Sequence, residues 1–364
     1  MRKTAAIYCL VSMMVGSTVE AEPRIEQPGF RVTKFTEFDL KPLRCFGLAI
    51  SNGRGGYPPG LFISTGPLPD RDRVLFADTD GKVSVFASGF VSNEGITFGR
   101  GAYGPWLYVA SIKEGAIYKV LPDGSREIFA ADGFTKGTAE DSNFGPAQLA
   151  WGPDGFMYAT DYSGGKVVRV RPDGSTEVLT NRLGEFRDKE VRSISMEDSR
   201  AVAPQSTPLR AGGAKPIAFL DSAYHFDRQF EGTALVGLYN RNAAPLEGRL
   251  IGLRLQPFAV KAEISMKAVE MEGLQLASSG PGGSFGYRYF VASEGIKQPD
   301  EMNDGALYSI DESWEPKLFL TNLDATQAVF DAEGVLGGGM LVCDMNQELW
   351  PEKLNTIWHV LPDQ

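Results

Sequence analysis

Two glutamates, each followed by glycine, have the clearest chemical capacity in this sequence: Glu94 in "NEGITF" and Glu272 in "MEGLQL". Asn93 stands beside the first. Two carboxylates and a carboxamide oxygen are hard oxygen donors, the ligand set of a divalent cation such as calcium. Lys215 in "AKPIAF" offers Glu272 a different partner, in which case the pair is neutralised and water solvates Glu94. A second oxygen-donor pair, Asp344 and Asn346 in "CDMNQELW", is an alternative cation site. Asp344 also belongs to a series with Ser111, Asp161, Asn240 and Glu294, each at the end of an apolar run. Asp or Asn at such a point ordinarily accepts hydrogen bonds from the N–H groups of the following turn.

Placing these residues requires the elements that carry them. An apolar phrase recurs six times at intervals of about 50–70 residues, the period of a blade-type repeat. Its first strands read "FGLAI", "EGITF", "AQLAW", "KPIAF", "EGLQL" and "TQAVF". Its second strands read "GLFIST", "WLYVAS", "FMYATD", "ALVGLYN", "RYFVASE" and "GMLVCD", and third strands follow each. Pro-Asp-Gly turns lead into fourth strands at "VLPDGSREIFA" and "VRPDGSTEVLT". Four short antiparallel strands per unit, repeated six times, predict an all-β, six-bladed β-propeller over residues 22–364. The last unit has only three strands before the sequence stops at "NTIWHVLPDQ". The alternating segment at about 30–38, "FRVTKFTEF", is the expected fourth strand that closes the ring and covers the open edge.

In this frame the inner strands begin at Phe46, Glu94, Ala147, Lys215, Glu272 and Thr326, around one mouth of the central channel. Glu94 and Glu272 stand on opposite walls. The long connections 181–214, 294–304 and 344–354 gather on that same upper face, where they can bind a protein partner or a small molecule. Of the two histidines, His225 falls in a lower-face loop and His359 in the third strand of the last blade. Neither is placed as a general base at the mouth, which disfavours Ser–His–Asp hydrolysis and histidine-based lyase chemistry. No catalytic residue is assigned. No CxxC, CxxCH, HExxH or phosphate-binding glycine loop is present, so no haem, zinc or nucleotide motif is read.

Residues 1–21 combine Arg2 and Lys3 with an apolar run and the small-x-small step Val19-Glu20-Ala21, the form of a secretory signal. The expected location is therefore periplasmic or secreted. A net charge of −10 argues against nucleic acid and against anionic membranes, and no other run is long enough to insert in a bilayer. Cys45 and Cys343 lie at the ends of neighbouring blades on one face. A disulfide across the seam and a pair of buried thiols are both open.

The phrases "EGITFGRG", "GAIYKVLPDGS" and "AQLAWGPDGFMYATDYSGGKVVRVRPDGS" resemble the six-bladed group of senescence-marker/gluconolactonase, strictosidine-synthase-like and NHL-type propellers. Lactone-hydrolysing members hold a divalent cation through Glu-Gly, Asn-Gly and Asp-Gly steps at inner-strand starts. The resemblance implies that Glu94-Gly95 supplies the first step and Glu272-Gly273 the last. Ala147-Gln148 and Lys215-Pro216 stand where Asn-Gly would be. "GFRVTKF" and "FDRQFEGTALVGLYNRNAAPLEGRL" resemble quinone-dependent sugar dehydrogenases, which use a histidine base on the cofactor face. The expected function is an auxiliary ligand- or partner-binding subunit of a larger complex. A calcium-assisted lactone or ester hydrolase is the alternative, and quinone-dependent sugar oxidation a third.

Overall fold

The computed structural model describes residues 22–39, 44–66, 72–136, 145–162, 164–181, 183, 214–219, 233–240, 247–267, 270–276, 284–286, 288–294, 305–311, 313, 315–345 and 354–363. Two strands, β1 (Arg24–Ile25) and β2 (Phe30–Phe38), precede the repeats. Blade one is β3 (Arg44–Ser51), β4 (Gly60–Gly66), β5 (Asp72–Ala77) and β6 (Val83–Phe90). Blade two is β7 (Asn93–Phe98), β8 (Leu107–Ser111), β9 (Ala116–Val120) and β10 (Arg126–Ala130). Blade three is β11 (Pro146–Trp151), β12 (Met157–Asp161), β13 (Lys166–Val170) and β14 (Thr176–Thr180). Blade four is β15 (Ala214–Phe219), β16 (Ala234–Asn240), β17 (Glu247–Leu255) and β18 (Phe258–Lys267). Blade five is β19 (Glu270–Leu276), β20 (Tyr289–Glu294), β21 (Ala306–Ile310) and β22 (Pro316–Thr321), and blade six begins with β23 (Ala325–Phe330), β24 (Met340–Asp344) and β25 (Asn355–Pro362).

Each blade is an antiparallel sheet in chain order, and each inner strand lies against the inner strand of the next blade, β23 returning to β3. The chain is thus a six-bladed β-propeller. The second strands explain why the repeat is so apolar: β4, β8, β12 and β24 are buried at every residue. A strand in the middle of a blade is covered on both faces by neighbouring blades, so it reads as a continuous apolar run. The core accordingly lies between blades. Tyr57, Phe62, Phe90, Leu107 and Val120 join blades one and two, and Leu61, Ile63, Leu341 and Ile357 join blades six and one. The Pro-Asp-Gly turns form as expected: Asp123 Oδ1 accepts the Ser125 N–H at 2.9 Å, and Asp173 Oδ1 accepts that of Ser175 at 3.0 Å. Among the described residues no helix is long and apolar enough to cross a membrane.

The seam closes as the alternation of "FRVTKFTEF" predicts. β2 pairs antiparallel with β25, from Phe30 opposite Pro362 to Phe38 opposite Asn355, and supplies the outer strand of blade six. The two-residue strand β1 was not anticipated. It adds a fifth strand to blade five, with Arg24 opposite Thr321 and Ile25 opposite Leu320. Gln27 continues the attachment by donating from Nε2 to Ser309 Oγ at 2.7 Å, and the Phe30 ring packs 4.9 Å from Phe285 and 5.1 Å from Phe319. Residues 24–38 therefore tie blades five and six together. The other tie is covalent: Cys45 on β3 and Cys343 on β24 form a disulfide with a Cα–Cα distance of 6.4 Å.

A second inter-blade device repeats on the lower face. Tyr57, in the loop between β3 and β4, donates its hydroxyl to the Val120 carbonyl and accepts the Leu107 N–H at 3.1 Å. Tyr103, in the equivalent loop of blade two, treats Val170 and Met157 the same way, with Met157 N–H at 3.0 Å. Leu107 pairs with Val120, and Met157 with Val170, so each phenol caps the lower end of a strand pair in the next blade. Burial raises both phenols above their ordinary value. Tyr57→Phe leaves two backbone groups without this partner and is expected to cost about 1–3 kcal/mol. The check is a lowered urea midpoint at unchanged slope.

Candidate functional site

The residues expected at the channel mouth share one backbone feature. In every blade the pairing of the inner strand with its neighbour shifts register near the start: Cys45/Gly47, Asn93/Ile96, Pro146/Leu149, Ala214/Ile217, Met271/Gly273 and Ala325/Gln327. The residues skipped include Phe46, Glu94, Ala147, Lys215, Glu272 and Thr326, the six named from the sequence. A bulge re-aims a side chain away from the regular pleat and leaves its residue outside the ladder. The mouth is therefore built from six bulges, one per blade.

Two of these bulges are packed alike across the ring. A Cβ on Gly95 would fall 2.5 Å from the Ala147 carbonyl oxygen and 2.9 Å from the Gln148 Cα. A Cβ on Gly273 would collide with the Thr326 carbonyl oxygen and Gln327 in the same manner. Each Glu-Gly step thus sits with its glycine against the next blade's x-Gln step. Because blades two and five are opposite, Glu94/Gln148 and Glu272/Gln327 are related across the channel. The glycine of a Glu-Gly step is accounted for by this close approach, whatever the glutamate binds.

Polar side chains are buried here. Glu94 is 5% exposed, Gln148 6% and Gln327 9%, while Asn93 and Thr326 are almost wholly enclosed. Buried polar groups carry a desolvation cost and need partners. Thr326 Oγ1 donates to the Cys45 carbonyl at 3.0 Å, and Cys45 N–H donates to Asn355 Oδ1 at 3.0 Å, which fixes the mouth at the seam. Ser64 Oγ, on β4, donates to the Glu94 carbonyl, and Asn93 Nδ2 donates to the Arg73 carbonyl at 3.1 Å. The Asn93 and Gln327 amide oxygens accept no hydrogen bond among the described residues.

The second series of acids is engaged in structure. Asp161 accepts the Thr135 N–H at 2.6 Å and the Gly164 N–H at 3.0 Å, the turn-capping role expected of it. Asp344 accepts the Asp324 N–H at 3.0 Å through Oδ1 and the Trp358 indole N–H at 2.9 Å through Oδ2. Ser111 Oγ lies 2.6 Å from the Val91 carbonyl oxygen and 2.8 Å from Glu114 Oε2, two acceptors that share its single proton. Asn346, His225 and most of the loops 181–214, 294–304 and 344–354 lie outside the described residues, as do the side chains of Lys215, Asn240, Glu272 and Glu294. His359 lies opposite Leu341 near the lower end of β25 and contacts the Gly338 carbonyl at 2.5 Å through Nε2.

Two oxygen-bearing side chains are buried at the start of β7. Glu94 is a buried carboxylate, and Asn93 Oδ1 is a buried oxygen whose acceptor capacity is unfilled. Among the described residues no three acidic, histidine or cysteine side chains converge. The opposing wall falls at Glu272.

No protein-family model matches the chain, and no curated protein sequence matches it. Solved structures do. A gluconolactonase from Xanthomonas campestris superposes over 94% of this chain and 95% of its own, with a TM-score of 0.56 and 14% identity. A PQQ-bound aldose sugar dehydrogenase from Streptomyces coelicolor superposes over 93% of this chain and 100% of its own, with a TM-score of 0.52 and 12% identity. At these identities the likeness is one of fold: a six-bladed propeller.

Proposed function

We propose that the mouth is a calcium-assisted hydrolytic site for a lactone or ester, centred on Glu94. One observation carries this reading: a carboxylate only 5% exposed stands at a bulged inner-strand start on the channel. The shared fold with a gluconolactonase supports it. Glu94 and Asn93, with Glu272 from the opposite wall, would hold the cation. When bound, such an ion supplies Lewis-acid polarisation of a carbonyl. Gln148 and Gln327 flank the two glutamates and offer hydrogen bonds to a substrate's oxygen atoms. The Ser64 bond to the Glu94 carbonyl holds that carboxylate's backbone in place.

The site would act outside the cytosol after removal of residues 1–21, a location that the Cys45–Cys343 disulfide supports. The expected result is one divalent ion per chain in natively purified protein, with hydrolysis of D-glucono-1,5-lactone lost on chelation and restored by calcium. Metal-free protein with full activity would overturn the reading.

A second reading, an auxiliary subunit of a larger periplasmic complex, is favoured by the engagement of Asp161 and Asp344 in structural bonds. It would use the loops 181–214, 294–304 and 344–354 to bind its partner. Stable co-purification with one other protein, and no lactone hydrolysis, is its expected result. Consistent purification as a lone monomer would sink it. Quinone-dependent sugar oxidation ranks third: His359 sits at the lower end of blade six and is held against Gly338.

A further inference from the structure

The chain enters β7 through Val91 and Ser92, and Ser92 has φ 59°. A residue with a Cβ seldom adopts this left-handed conformation, and strain of this kind persists only where the surroundings over-determine it. Asn322 (φ 63°) is the other such residue among the described ones, in the matching connection between blades five and six. Asn tolerates the region through its short amide, whereas Ser has weaker means of doing so.

The surroundings of Ser92 are specific. The wholly buried Asp72, at the start of β5 in blade one, accepts the Ser92 N–H through Oδ2. From blade two, Ile112 N–H donates to the Ser92 carbonyl at 2.8 Å, and Ser111 Oγ lies 2.6 Å from the Val91 carbonyl oxygen. Glu114 Oε2 accepts the Val91 N–H at 3.3 Å. Two residues further on, Ser64 Oγ from blade one holds the Glu94 carbonyl. The backbone from Val91 to Glu94 is gripped from two blades, and the left-handed turn lies immediately before the bulge that presents Glu94.

We infer that Asp72 and Ser64 are positioning residues for Glu94, Asp72 acting through the left-handed turn at Ser92 and Ser64 through the Glu94 carbonyl. This rests on the reading of Glu94 as the working carboxylate of the mouth. Asp72→Asn replaces an anionic acceptor with a neutral amide of nearly the same shape, while leaving every mouth residue in the sequence. It is expected to lower kcat/KM for D-glucono-1,5-lactone by about tenfold to a hundredfold, mostly in kcat, and to weaken calcium binding measured by calorimetry. It should also shift the backbone amide NMR signals of Asn93, Glu94 and Gly95.

Adding Ser92→Gly to Asp72→Asn should restore most of the loss, because glycine takes the left-handed turn without an external grip. Rescue by glycine separates control of the turn from a general loss of stability. Ser64→Ala removes a single hydroxyl and carries the same expectation if the Asp72 variant does not fold. Wild-type kinetics, calcium affinity and amide NMR signals in Asp72→Asn would overturn the inference, and so would a double variant no better than the single. If Glu94→Gln keeps full hydrolysis, the hydrolytic reading falls, and the backbone amide NMR signals of residues 93–95 decide the inference by themselves: they should shift in Asp72→Asn and return toward those of the wild type on adding Ser92→Gly.

Discussion

A chain lacking residues 22–38 is expected to lose the closed ring. Those residues supply the whole outer strand of blade six and the fifth strand of blade five. Their removal strips the cover from β25 and exposes Val360, Phe319 and Phe285, which pack with Ile25, Phe30 and Val32 in one cluster. Each large apolar side chain returned to water costs about 1.5–3 kcal/mol, and several are involved. The sum rivals a typical total stability of about 5–15 kcal/mol. An edge of that length also invites pairing between molecules. Size-exclusion chromatography should show aggregated or expanded protein, and urea unfolding should lose its cooperativity. A synthetic peptide of residues 22–38 added to the truncated chain should recover part of both. Monomeric truncated protein with the full urea midpoint would show that blades five and six need no such tie.

The second large effect is expected at the disulfide. Cys45 and Cys343 are 298 residues apart in sequence and both wholly buried. In the chain-entropy account, a cross-link closing so long a loop stabilises by on the order of 5 kcal/mol. The Cys45→Ala/Cys343→Ala variant should therefore unfold at a much lower urea midpoint than the oxidised protein. Reduced wild type should fall near the variant. Reductant acts slowly under native conditions, since neither sulfur is exposed. A midpoint unchanged by both treatments would mean that β2 alone holds the seam.

The two N-terminal strands differ in how far the sequence announces them. β2 is readable because one face of a nine-residue strand is covered, which imposes alternation on "FRVTKFTEF". β1 contributes two residues, too few for any period, and its partner is recognised only in space. The blade repeat is plain because each second strand lies between two blades and must be apolar throughout. The lower-face phenols Tyr57 and Tyr103 lie in loops of equal length, 52–59 and 99–106, which share the phrase Gly-Arg-Gly-x-Tyr-x-Pro; the repeat marks the two tyrosines, and the strand pair each one caps is recognised only in space. The same holds for Asp72: it looks like one more surface acid, yet it is wholly buried under the Ser92 turn.

At the mouth, the repeat places Glu94 and Glu272 at inner-strand starts but does not announce the bulges, which form equally at Phe46, Ala147, Lys215 and Thr326, where no Glu-Gly step stands. The glycines have a packing cause that the sequence alone did not disclose: they touch the next blade's backbone. Asp161 reads as a turn cap and Asp344 as a cap or an alternative cation ligand; Asp161 accepts the N–H groups of Thr135 and Gly164, and Asp344 those of Asp324 and the Trp358 indole.

Hydrolysis of D-glucono-1,5-lactone by Glu94→Gln beside the wild type, both saturated with calcium, tests the proposed role of Glu94 most directly. The substitution keeps the size and hydrogen-bonding shape of the side chain and removes its charge. Measurable hydrolysis by the wild type and a loss of at least about a hundredfold in the variant are expected, as for a ligand of the cation that would polarise the carbonyl. A variant as active as the wild type, at the same urea midpoint, would contradict that role.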